Sequence, residues 1–168
     1  ADKKISPAGH WIGITTIACK KTNANAVKTA QAYALTSVAL FDSFITCWEV
    51  KYKYALERPV SVINEKMDHN WLPLLQTPPF PEYTAGHSTI SAASAIVLTH
   101  EFGDNFAFRD TSDKRYIGLQ RDFKSFMQAS DETAMSRFYG GIHYLNSSLA
   151  GAKQGRQVGE LIWQRLKL

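Results

Sequence analysis

Apolar residues recur at spacings of three and four at Val27, Ala30, Ala34, Val38, Phe41, Ile45 and Trp48. That period predicts a long helix, restarted at Asn23 or Asn25 and running to about Leu56. Pro59 ends it, because the residue before a proline is pushed out of the α region. Upstream, Ser6-Pro7 offers an N-cap followed by proline at the first helical position, predicting a helix over 6–21. The run Ser91, Ala92, Ala93, Ser94, Ala95 sits within a predicted helix over 87–102 and permits close helix contacts. Residues 106–110 fit a short extended piece. A helix over 122–139 stops at Gly140-Gly141, and a last one over 146–166 is offered Asn146 or Ser147 as its N-cap. Residues 60–85 carry Pro73, Pro78, Pro79 and Pro81 and form the longest irregular segment. So long a loop in a compact domain is functional or disordered. Its Trp71, Leu72, Leu74, Leu75, Phe80 and Tyr83 favour a packed, functional one. The expected fold class is all-α, a helical bundle of five to six helices with a long proline-rich loop before the helix at residue 87.

Composition narrows the function more than the fold. The 168 residues, 45% apolar and 20% charged, predict one domain spanning 1–168, with no internal repeat or linker. The net charge of +4 is spread out, with no lysine- or arginine-dense block, which argues against nucleic acid as a partner. A mildly basic domain still attracts anionic substrates. Cys19 and Cys47 lie in apolar helical stretches without metal spacing and read as two buried free thiols. The chain starts Ala1-Asp2-Lys3-Lys4 without an apolar signal region, so that region is expected to be absent or removed. Residues 29–48 carry Gln31, Ser37, Asp42 and Ser43, the polar load of a buried helix rather than a membrane span.

Three segments carry chemistry. Lys51 is followed after six residues by Arg58 and Pro59, Gly86-His87 follows the proline-rich loop, and Arg137 is followed after five residues by His143. Arginine offers a planar fork to two oxyanion oxygens, and lysine a movable point charge. On a continuous helix, Lys51 and Arg58 share one face; a solvated basic face explains them equally well in isolation. Backbone N–H groups at a helix start, with glycine allowing close approach, are ready anion donors, and a histidine there can act as acid or base. A capping or packing role is the commoner explanation for such a histidine. His143 can serve as nucleophile or ligand, or as a satisfied core residue. Each signal is weak alone; together and in this order they are strong. His10, His69 and His100 are expected in structural, surface or loop roles.

With these residues in view, the chain resembles the type 2 phosphatidic acid phosphatase superfamily, which joins a class of acid phosphatases to the vanadium-dependent haloperoxidases. The pattern Lys-x6-Arg-Pro, then Gly-His, then Ser-Arg-x5-His is found between Lys51 and His143. Trp48, the run Pro79-Phe80-Pro81-Glu82-Tyr83, and Gly140-Gly141-Ile142-His143-Tyr144 are similar to bacterial members of the haloperoxidase branch. Those enzymes are longer, so the chain looks like their C-terminal catalytic half. The resemblance implies that Lys51, Arg58 and Arg137 neutralise equatorial oxygens of a vanadate or phosphate, with the Gly86 amide as a further donor. His143 would bond the central atom, as vanadate ligand or as the nucleophile of a phosphohistidine intermediate, and His87 would be the acid/base near the apical oxygen. Trp48 and Phe80 would line the pocket. An aromatic at Phe80's position is similar to the chloride-oxidising type, though one residue does not fix the halide.

Two positions depart from that pattern. The serine before Gly-His is Ala85 here, a lost hydrogen bond to a charged partner worth roughly 1.5–3 kcal/mol. The aspartate four residues after His143 is Ser147, which leaves the ring without the carboxylate that orients it and raises its basicity. A nucleophilic histidine suffers more from this loss than a vanadate ligand does. The leading expectation is therefore a vanadium-dependent haloperoxidase-like oxidoreductase, with halide and hydrogen peroxide as substrates and vanadate as cofactor. The alternatives are a soluble acid phosphatase hydrolysing phosphate monoesters, and a degenerate, non-catalytic oxyanion-binding domain. A missing N-terminal half, or a homo-oligomer, is left open. The residues do not fix localisation; analogy implies a periplasmic or exported setting.

Overall fold

The computed structural model describes residues 5–166; the Ala1 to Lys4 start lies outside them. Five long helices make the bundle: α1 (Pro7–Lys21), α2 (Ala26–Tyr54), α4 (Gly86–Phe102), α6 (Phe126–Tyr139) and α7 (Leu145–Arg165). The eight-residue α3 (Pro59–Lys66) and the single turn α5 (Lys114–Ile117) complete the helices. This matches the expected all-α bundle. No helix among the described residues is long and apolar enough to cross a membrane.

Local chemistry sets most boundaries. The Ser6 hydroxyl accepts the Gly9 N–H at 3.0 Å, and Asn25, not Asn23, caps α2 through the Lys28 N–H at 2.9 Å. Several boundaries differ from the sequence reading. Helix α2 stops at Tyr54, where Ala55 turns left-handed, so Lys51 and Arg58 do not share one continuous helix. Pro59 opens α3 rather than merely ending α2, because its fixed φ suits the first helical position, and Arg58 becomes the N-cap. The irregular segment is correspondingly shorter than 60–85. Helix α7 begins at Leu145 with Tyr144 as N-cap, and neither Asn146 nor Ser147 caps it. Residues 122–125 are not helical. β2 (Arg121–Phe123) pairs antiparallel with β1 (Phe108–Asp110), Phe108 opposite Phe123, and Ser125 caps α6.

Helix α4 is buried on nearly every side, as its run of small residues allows, and packs against α1, α2, α6 and α7. Trp11, Ile14, Ile90, Leu98, Phe108, Phe123 and Phe126 form one core cluster; Leu35, Ala93, Val97 and Ile162 form a second. Against α7 the approach is closest. Gly151, Gly155 and Gly159 present a bare stripe to α4, and a Cβ at Gly155 would overlap the Thr89 carbonyl oxygen. Both free cysteines are buried, as expected.

The loop over 67–85 is tied down by backbone. Leu75 N–H donates to Gly140 O at 3.1 Å, Glu82 N–H to Leu56 O at 2.9 Å, and Ala85 N–H to Ser147 O at 3.2 Å. Gly141 has φ of 74° and lies under Trp71 and Pro73, so the glycine pair serves both the left-handed turn and the loop seated on it.

Replacing a helical glycine by alanine ordinarily stabilises a helix by up to about 1 kcal/mol. At Gly155 the sign should reverse, with Gly155→Ala costing about 1–3 kcal/mol through overpacking. Thermal and urea unfolding check this; an unchanged or raised Tm would contradict the close α4–α7 contact.

Candidate functional site

Residues from six parts of the chain build the site. Lys51 sits in the last turn of α2, and Arg58 caps α3. Phe80 and Glu82 lie in the loop, and Gly86 and His87 open α4. Arg137 ends α6, while His143 and Ser147 flank the start of α7. The fold brings Lys51, Arg58, Phe80, Arg137, His143 and Ser147 into one cluster, all of them buried except Phe80, which is half-buried. The Gly86 amide belongs to the first turn of α4, where N–H groups lack helical acceptors. His87 is partly buried beside it.

Lys51 is fully buried, and its ammonium donates to three carbonyls of the loop: Pro81 at 2.9 Å, Glu82 at 2.9 Å and Thr84 at 2.6 Å. Burial pushes its pKa down to about 8, with Arg58 adding to the fall, so the group is still protonated at neutral pH. Arg58 donates through Nε to Phe80 O at 3.0 Å and through Nη1 to Ile142 O at 2.8 Å. The same Nη1 lies 3.0 Å from His143 Nε2. Phe80 lies against both cations, its ring centroid 5.2 Å from Lys51 Nζ and 5.0 Å from Arg58 Cζ. Trp48 is 5.0 Å from Phe80 between centroids, and a Cβ on Gly86 would meet its ring at 3.3 Å. Trp48 thus covers the glycine where α4 begins.

Arg137 is 8% exposed, and its Nε has no hydrogen-bond partner among the described residues. Burial, with Arg58 nearby, lowers its pKa to about 10, which keeps it charged. It faces a cavity of about 390 Å³ lined by Leu75, Gln76, Pro78, Pro79 and Phe80. A buried guanidinium without a carboxylate is costly unless something anionic meets it.

The residue the sequence reading missed is Glu82. Its carboxylate, 0% exposed, accepts from His143 Nδ1 at 2.6 Å, from the Ser147 hydroxyl at 2.6 Å and from the Tyr144 N–H at 3.2 Å. Ser147 therefore does not touch the His143 ring as an orienting group; it bonds Glu82, which does. The expectation that the ring lacks a negative partner is corrected accordingly. A signal was present: Glu82 is the sole acidic residue between Asp68 and Glu101. These three donors hold the Glu82 pKa below the usual carboxylate range despite burial.

His143 is buried and neutral, its pKa pushed down to about 4 by desolvation, with Arg58 and Lys51 adding to the fall and Glu82 opposing it. Three cations against one carboxylate leave a surplus of two positive charges around a neutral ring. The other histidines take the roles expected of them. His10 pairs with Asp110 at 2.6 Å, His100 stacks on Trp163 and meets Glu160 at 3.0 Å, and His69 is exposed.

Between pH 6.5 and about 4, an unfolded chain protonates His143 while the folded site refuses the proton. The native state therefore loses stability as pH falls through that window. Glu82, with its pKa depressed, adds a loss only at lower pH. Wild-type Tm should drop more between pH 7.5 and 4.5 than that of His143→Gln; equal drops would contradict the buried neutral ring.

The chain is 32% identical to vanadium chloroperoxidase from Curvularia inaequalis over 131 residues, covering 62% of this chain and 21% of that protein. A crystal structure described as the first bacterial vanadium-dependent iodoperoxidase superimposes with a TM-score of 0.95 and 53% identity, over 97% of this chain and 39% of that one. A holo-type bacterial vanadium-dependent chloroperoxidase superimposes with a TM-score of 0.78 at 21% identity, over 96% of this chain and 41% of that one, a likeness of fold alone. The chain thus spans well under half the length of these relatives. Residues 31–70 and 64–168 match the family described as the VCPO second helical-bundle domain, and the chain belongs to that family.

Proposed function

We propose that residues 1–168 form a single catalytic domain of a vanadium-dependent haloperoxidase, holding vanadate and oxidising halide with hydrogen peroxide. The observation that carries this reading is the buried surplus of positive charge around a neutral His143. The family and the 53% identical iodoperoxidase support the choice of reaction.

The residues fit an oxyanion. The buried Arg137 Nε lacks an acceptor among the described residues, and such a group would supply one. Nε2 of His143 carries the ring's lone pair, since its hydrogen-bond partner among the described residues is the donor Arg58 Nη1. Arg58, Arg137 and the Gly86 amide would hold the oxygens, and His143 Nε2 the central atom. Arg58 Nη1 must first leave the ring nitrogen and turn onto an oxygen. Lys51 has all three protons on loop carbonyls, so its first contribution is long-range charge and the shape of the loop. Bound vanadate supplies the Lewis-acid centre at which peroxide is activated toward halide. Preorganised cations stabilise charge there without reorganising at the moment of reaction. His87, at the start of α4, would carry protons to and from an oxygen of the bound oxyanion. Trp48 and Phe80 screen the cations from water.

A second reading is favoured by one observation. Glu82 gives His143 the carboxylate that a phosphohistidine mechanism needs. A phosphomonoester hydrolase, with His143 as nucleophile and His87 protonating the leaving group, uses the same cluster.

Peroxide-dependent oxidation of iodide and bromide, with and without orthovanadate, separates them. The haloperoxidase reading predicts vanadate-dependent turnover that falls at least about 100-fold in His143→Ala, as expected when a ligand to the reacting centre is removed. Aryl phosphate hydrolysis inhibited by vanadate, without halide oxidation, would overturn it in favour of the phosphatase.

A further inference from the structure

The loop carboxylate of Glu82 and the hydroxyl of Ser147 meet on the side of His143 away from the Arg58 guanidinium. We propose that Glu82 is the positioning residue of the site. Delivered from the proline-rich loop, its carboxylate holds the His143 ring through Nδ1–H in place of the carboxylate that Ser147 lacks. This inference rests on the oxyanion reading and names the group that prepares its ligand.

The two partners of the ring fix its tautomer. Ionised Glu82, held in that state by the Ser147 and Tyr144 donors, can only accept, so the 2.6 Å contact requires a proton on Nδ1. Arginine is a donor only, so the 3.0 Å contact from Nη1 requires a lone pair on Nε2. An imidazolium would set N–H against N–H at Arg58. The ring is therefore held neutral, with its lone pair directed at the Arg58 side, the state a ligand or nucleophile must have.

Glu82 is itself held rigidly. The Ser147 hydroxyl donates to Oε2 at 2.6 Å, the Tyr144 N–H to Oε1 at 3.2 Å, and the Glu82 N–H is bonded to Leu56 O at 2.9 Å. Ser147 lies 3% exposed against that carboxylate, so a second carboxylate there would face a like charge in a dry setting. The two positions are thus reciprocal: one negative charge suits the ring, and two conflict.

The test is a titration of the chain with orthovanadate followed by vanadium-51 NMR, in wild type, Glu82→Gln, Ser147→Asp and the double variant, with Tm measured on each. Glu82→Gln should weaken vanadate about 10–100-fold and move the bound resonance, because the ring nitrogen loses basicity. Ser147→Asp alone should also weaken binding, whereas Glu82→Gln/Ser147→Asp should recover most of the wild-type affinity. Glu82→Gln with wild-type affinity and an unmoved resonance would overturn the proposal, as would a double variant no better than Glu82→Gln. If Glu82→Gln does not fold, Glu82→Asp keeps the charge and shortens its reach; unchanged affinity there overturns the proposal too. A wild-type chain that binds no vanadate would overturn the oxyanion reading, and this inference with it.

Discussion

Two arginines and a lysine buried beside one glutamate create an electrostatic debt that the protein interior alone does not settle. Lys51 is stabilised by three carbonyls, and Arg58 by carbonyls and a ring nitrogen. Arg137 Nε has no partner among the described residues. Proteins tolerate such arrangements where charge serves a site, because an unpaired buried charge costs several kcal/mol. The loop over 67–85, the cap at Arg58 and the start of α7 are all shaped by the need to surround these groups with acceptors.

That arrangement depends on backbone proximity. The glycine stripe of α7 lets α4 approach closely enough for Ala85 N–H to reach Ser147 O, which joins the start of α4 to the first turn of α7. Thr84 ties the same loop to α7 by donating to Gln154 Oε1 at 2.7 Å. A small shift between these helices would separate Glu82 from His143, so packing and site chemistry are one problem. The interior is dense enough to transmit such a shift.

The long helices were legible because apolar spacing and caps agree, as at Ser6-Pro7 and in α2. At Pro59 the end of α2 is legible but the start of α3 is not, and Ala55 turns left-handed without a glycine to announce it. The β1–β2 hairpin is half legible: residues 106–110 read as extended, but 122–123 of the partner strand fall within the helix expected over 122–139. Ser147 was recognised as a departure, yet its compensation lay 65 residues away in sequence, where spacing arguments have no reach. Only the folded loop brings Glu82 beside His143. The cluster of Lys51, Arg58, Arg137 and His143 was legible because its residues are cationic or imidazole in a fixed order. Which atoms each one bonds was not, since Lys51 turned to carbonyls and Arg58 to the ring.

The central claim is that the buried cations and the His143 lone pair await an oxyanion. A crystal structure of the chain grown with orthovanadate tests it most directly. The expected structure has an oxyanion bonded at His143 Nε2, Arg58 turned from that nitrogen onto its oxygens, and an acceptor at Arg137 Nε. A structure at saturating orthovanadate in which Arg58 still bonds His143 Nε2, with no oxyanion beside Arg137, would contradict it.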